Sequence, residues 1–131
     1  KCLKIENLVM SKKESFLSNR IKSIGYAFKG AYLLITTENS IKIQFCIGIL
    51  MTILGFIVNL SATEWMIQIL TIGLIMSVEG LNTAIEEMAD FIHPEHHSKI
   101  GLIKDLAAGA VFILAIAAAI VGCIIYYPKI F

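Results

Sequence analysis

Glu79, Asn82, Glu86 and Asp90 stand at offsets of three, seven and eleven residues within one apolar stretch of a 131-residue chain. At about 3.6 residues per turn these offsets bring all four side chains onto nearly one helical stripe. Glu38 precedes the first long apolar run, and Lys104-Asp105 precede the last. Carboxylates from two segments with a lysine beside them are the parts of a Mg²⁺ and phosphate site, because Mg²⁺ takes oxygen ligands and bridges one or two carboxylates to substrate phosphates. The chemistry that follows is phosphoryl transfer, with a carboxylate at the far end of the stripe able to act as base toward a hydroxyl.

The elements that must position these residues are apolar. The hydrophobic fraction is 57% and the mean hydropathy +0.80, too high for a soluble domain this small, whose surface demands more polar residues. Three candidate membrane spans emerge at about residues 43–60, 65–90 and 106–127, against a requirement of about 20 residues each. An ionisable group at the centre of such a helix costs about 2.5–3.5 kcal/mol on the lenient insertion scale, so a stripe carrying several is a functional feature. Ser61 or Thr63 is suited to cap the second span, and Pro94 ends it. The first two spans therefore form an antiparallel hairpin. Small residues at i, i+4 in the third, Ala115 with Ala119 and Ala118 with Gly122, predict a face that packs on protein, and Tyr126-Tyr127 sit where an interfacial aromatic belt is expected.

Upstream, residues 16–37 have amphipathic spacing, with Arg20, Lys22 and Lys29 around an apolar face, which predicts a helix lying on the membrane surface. Residues 1–15 read as disordered or as an extension, and Met10 marks a plausible native start for which residues 1–9 would be additional. Eight of the eleven Lys and Arg residues lie at or before Lys42, none separates the first and second spans, and Lys99 and Lys104 follow the second. By the positive-inside rule the amino terminus and the His93–Lys99 loop are cytoplasmic. The stripe then runs from water at Asp90 to Glu79, about 16 Å deeper at about 1.5 Å per residue.

A net charge of +1 makes no case for a nucleic-acid partner. Three cysteines, two of them in apolar runs, imply no disulfide framework, and His93, His96 and His97 lack the cysteines that would complete a zinc motif. No G-x-x-x-x-G-K-[ST] phosphate loop occurs. A small oligomeric channel or proton relay is the alternative use of the stripe. Against it, Trp65–Val78 offers only Gln68, Thr71 and Ser77, so the polar path ends halfway across the membrane. A purely structural scaffold does not account for Glu38, Glu86 and Lys104 together.

The runs Glu79-Gly-Leu-Asn82-Thr-Ala-Ile-Glu86, Asp90 and Lys104-Asp105 followed by Ala-Ala-Gly-Ala-Val111 resemble the signature of the small bacterial membrane lipid kinases, the diacylglycerol kinase and undecaprenol kinase family. Gly25-Tyr26-Ala-Phe-Lys29-Gly30 and Glu38-Asn39-Ser-Ile-Lys42-Ile are similar to the family's amino-terminal segments. The resemblance spans roughly residues 20–127. It implies an all-α integral membrane fold with an amino-terminal surface helix and three transmembrane helices, assembled as a homotrimer with shared active sites in the bacterial cytoplasmic membrane. It implies ATP-dependent phosphorylation of a lipid hydroxyl, on undecaprenol or diacylglycerol. Glu79 matches the catalytic base, which also contacts the lipid, and Asn82 helps to orient it; Ala108 is implied as a second lipid contact. Glu38 and Glu86 match the magnesium pair on ATP, and Arg20, Tyr26, Asp90, Glu95, His96, His97, Lys104 and Asp105 the nucleotide contacts. The family's amino-terminal arginine falls at Asn19 when Gly25-Tyr26 is held fixed, with Arg20 its neighbour, and His96 stands where some members have Tyr.

Overall fold

The structure, a computed structural model, describes the backbone of residues 2–131 and the side chains of residues 3–7 and 15–131. It contains four helices, α1 Cys2–Thr37, α2 Asn39–Ile57, α3 Ala62–Ile92 and α4 Ser98–Ile130. They fall into two units, Lys1–Glu38 and Asn39–Phe131.

In the first unit α1 begins at Cys2, upstream of the expected start at Phe16. No Gly or Pro interrupts residues 2–24, so nothing breaks the i to i−4 ladder; residues 2–15 are helical where disorder was one expectation. Ser23, Thr36 and Thr37 return their hydroxyls to backbone carbonyls four residues earlier.

In the second unit α2, α3 and α4 are each long and apolar enough to cross a membrane. α3 packs on both α2 and α4. The α2–α3 connection is a tight reversal. Val58 and Leu60 donate back to the carbonyls of Leu54 and Gly55, and Asn59 takes the left-handed conformation at φ 56°, which asparagine tolerates better than most residues. Ser61 is the cap that begins α3. Its hydroxyl accepts from the Glu64 amide and the Glu64 carboxylate accepts from the Ser61 amide, a complete capping box of the kind that satisfies two orphan donors at once. Lys129 of α4 reaches the same carboxylate at 3.1 Å. Glu64 lies just outside the apolar run, and the Ser61 backbone hydrogen bond, with Lys129 assisting against the opposing effect of burial, holds its carboxyl below the usual glutamate range.

Helix α4 starts at Ser98, eight residues before the apolar run expected from 106. His97 supplies the reason, since its Nδ1 accepts from the Lys99 amide at 3.1 Å and caps the first turn. Pro128 lies within the last turn of α4, where it leaves out one backbone donor of the helix.

Between α2, α3 and α4 lies a cavity of about 460 Å³, lined in part by Gln44, Gly48, Gln68, Ala115, Ala119 and Gly122. The small-residue face of α4 is therefore turned toward α2 and α3. At one end of the cavity Gln68, 5% exposed, donates from Nε2 to the Met51 carbonyl at 3.0 Å. The Tyr126 hydroxyl lies 3.1 Å from that carbonyl and close to Gln68 Oε1. Tyr126 is thus buried and ties three helices together, in place of the belt position expected for it; Tyr127 stays exposed beside Phe131. Tyr126→Phe is expected to destabilise the bundle by about 1–3 kcal/mol, the cost of leaving a buried acceptor without its donor. A denaturation midpoint in detergent equal to that of the parent would show the network to be idle.

Candidate active site

Helix α3 sets the stripe, and depth divides it. Glu79 is 8% exposed and Asn82 9%, whereas Glu86 and Asp90 are exposed. The buried pair is where the neighbouring helices close on α3, and the exposed pair is where α3 runs out toward Pro94. The Asn82 Nδ2 donates to Glu86 Oε1 at 3.4 Å, a contact the i, i+4 spacing makes available. Asn82 Oδ1 is buried with no hydrogen-bond partner.

Two further contacts come from other helices. Gln44 of α2 donates from Nε2 to Glu79 Oε2 at 3.4 Å, linking residues thirty-five apart in sequence. Lys104 of α4 binds Asp90 Oδ1 at 2.6 Å. Lys104 precedes the uncharged run of α4, and the hydrogen bond to Asp90, opposed by burial and reinforced by the charges of Asp90 and Glu86, holds its ammonium above the usual lysine range. Asp90, Lys104 and Glu86 thus form one charged group at the polar end of the stripe, with Glu79 and Asn82 below it.

Of the residues singled out in the sequence, the second unit brings together Glu79, Asn82, Glu86, Asp90 and Lys104. Asp105 is exposed next to Lys104, and Ala108 is exposed one turn further along α4. Glu95 and His96 are exposed in the α3–α4 connection, where the Glu95 carbonyl lies 2.8 Å from His93 Nδ1. His97 has a structural task as the cap of α4. Arg20, Tyr26 and Glu38 belong to the first unit; there Arg20 lies over the Phe16 ring at 5.2 Å and Tyr26 is exposed. Gln44 is not among the residues singled out in the sequence. The available signal was its amide, a group whose burial needs a partner.

The donor set suits a hard cation. Glu86 offers a carboxylate and Asn82 a buried amide oxygen with no partner. Mg²⁺ is held by one or two carboxylates with waters and phosphate oxygens completing its shell, a role for which the Glu86 carboxylate, exposed at the polar end of the stripe, is chemically suited.

Residues 25–126 match the model of the prokaryotic diacylglycerol kinase family. The chain is 40% identical to an undecaprenol kinase of Bacillus subtilis over 114 residues, covering 87% of this chain and 93% of that protein. It is 34% identical to a diacylglycerol kinase of Synechocystis over 112 residues, 84% of this chain and 64% of that protein, and 32% identical to a diacylglycerol kinase of Escherichia coli over 107 residues, 82% and 88% of the two chains. With the family model covering most of the chain and the polar stripe ending in mid-helix, a channel is not supported, and the chain belongs to the prokaryotic diacylglycerol kinase family of membrane lipid kinases.

Proposed function

We propose that this lipid kinase transfers the γ-phosphoryl group of ATP to the hydroxyl of undecaprenol at the cytoplasmic face of the bacterial cytoplasmic membrane. The observation that carries the site assignment is the split of one helical stripe into a buried carboxylate, Glu79, and an exposed charged group, Glu86, Asp90 and Lys104. A lipid alcohol and a nucleotide arrive from different phases, and this stripe joins the two. The choice of undecaprenol is supported by the relative of that name, whose match covers 93% of its length; the diacylglycerol kinases match at lower identity.

In this reading Glu79 takes the proton from the lipid hydroxyl as its oxygen bonds to the γ-phosphorus. The bond from that phosphorus to the β–γ bridging oxygen breaks, and ADP leaves with the electron pair. Asn82 orients the hydroxyl. Lys104, held by Asp90, faces the phosphates, with Asp105, Glu95, His96, His97, Arg20 and Tyr26 as further nucleotide contacts and Ala108 as a lipid contact. Glu38 and Glu86 would hold Mg²⁺, which would neutralise charge on the transferring phosphates. The assembly is a homotrimer with sites shared between protomers, and α1 lies on the membrane surface with its basic residues toward the headgroups.

The test is phosphate transfer from Mg-ATP in detergent, with undecaprenol and diacylglycerol offered separately. The expected result is a higher kcat/KM for undecaprenol. Preference for diacylglycerol would overturn the acceptor, and failure to phosphorylate either lipid would overturn the site.

A further inference from the structure

The cavity end of α2 carries a side chain that the mechanism above does not use. Gln44 is partly buried, lines the cavity between α2, α3 and α4, and directs its Nε2 to Glu79 Oε2. Its Oε1 is buried and has no partner. A buried amide that satisfies only one of its two ends is costly unless the other end is used at some stage.

We infer that Gln44 is a positioning residue that holds Glu79 in both of its protonation states, donating to the carboxylate before proton transfer and accepting from the carboxylic acid after it. The inference rests on Glu79 being the base. A carboxylate only accepts hydrogen bonds, and a carboxylic acid carries one O–H donor, while an amide offers two donors and one carbonyl acceptor. A half-turn of the Gln44 amide exchanges Nε2 for Oε1 opposite Glu79, so one neutral side chain serves each form without adding charge. An aliphatic residue at position 44 serves neither form. A carboxylate there repels the ionised base.

The surroundings leave this partnership undisturbed. On α2 the titratable neighbours Lys42 and Cys46 are both exposed and, two residues from Gln44, lie on other faces of the helix. On α3 the nearest carboxylate toward the polar end is Glu86, two turns away. Lys104 with Asp90 and Lys129 with Glu64 set the antiparallel register of α4 against α3. Eleven residues in from Asp90 and from Lys104 lie Glu79 and Ala115, and no titratable side chain stands on α4 between Asp105 and Cys123. Gln44 is therefore the polar partner that the neighbouring helices give Glu79.

The experiment is the pH dependence of kcat and the lipid KM for Q44E and Q44M beside the parent, with E79Q as reference. For Q44M, kcat is expected to fall about 10-fold or more with the lipid KM within about twofold, since a misheld base weakens proton transfer without touching lipid binding. For Q44E, the acid limb of the kcat profile is expected to move toward higher pH by about one unit, because two carboxylates at this distance resist ionising together. A purely structural role moves neither the limb nor kcat alone. If Q44M does not fold, Q44E decides: a profile superimposable on the parent, or an enzyme inactive at every pH, overturns the inference. An active E79Q overturns the reading of Glu79 as base, a result separate from unchanged Gln44 variants beside an inactive E79Q.

Discussion

Glu79→Gln is expected to lower kcat for lipid phosphorylation by about 10²–10⁴-fold, the usual contribution of a positioned general base, while the KM values for ATP and lipid change little. The amide keeps the volume of the carboxylate and can still hydrogen-bond to Gln44, so the packing of α2 on α3 survives. What disappears is a group able to accept a proton. A loss of kcat with binding preserved is the signature of an interaction made in the transition state. The alternative use of a buried carboxylate, as a hydrogen-bonded packing element, predicts the reverse: altered stability with activity retained. Steady-state phosphate transfer beside a denaturation midpoint separates the two, and an E79Q enzyme with parental kcat would remove Glu79 from the chemistry.

Gly55→Leu is expected to destabilise the α2–α3 hairpin by about 3 kcal/mol or more, at the upper end of overpacking costs. A Cβ at Gly55 would lie 2.8 Å from Trp65 Cη2 and 2.9 Å from Leu60 Cδ1. The Trp65 ring has little freedom to retreat, being packed on Phe56 with centroids 4.8 Å apart. The Gly55 carbonyl also accepts from the Leu60 amide that closes the turn. Gly73, where a Cβ would meet nothing within 4 Å, provides the comparison: Gly73→Ala should leave the denaturation midpoint unchanged or raise it slightly, since alanine is the better helix former. Equal midpoints for the Gly55 and Gly73 variants would show that the close approach at the hairpin carries no weight. Because this hairpin sets the register of α2 against α3, its loss also separates Gln44 from Glu79, and activity should fall with stability.

The elements legible in the sequence were those written in local patterns. Ser61 or Thr63 marked the start of α3, where Ser61 proved to be the cap, Pro94 marked its end, and hydropathy the three apolar helices, each signal lying within a few residues of the feature it specifies. Helix boundaries diverged where hydropathy and hydrogen bonding part company. Apolar content locates the stretch that suits lipid, but a helix continues into polar residues until a cap stops it, which is why α4 reaches back to His97 and Ser98. In the same way α1 runs from Cys2, since no breaker interrupts it.

The sequence by itself determined the stripe, because a helix places residues three, seven and eleven apart on one face whatever surrounds it. The mid-helix end of that stripe, and so the argument for a kinase over a channel, is likewise a property of residue order. Only the tertiary structure decided what the stripe touches, Gln44 on Glu79 and Lys104 on Asp90, and what ties the helices together elsewhere, Tyr126 on Gln68 and the Met51 carbonyl. Those pairs join residues 35, 14, 58 and 75 positions apart. Their register comes from how antiparallel helices pack, through the tight turn at Gly55 and the fit of Gly48 against Ile72, and packing of this kind depends on both surfaces at once, so neither segment read alone contains it.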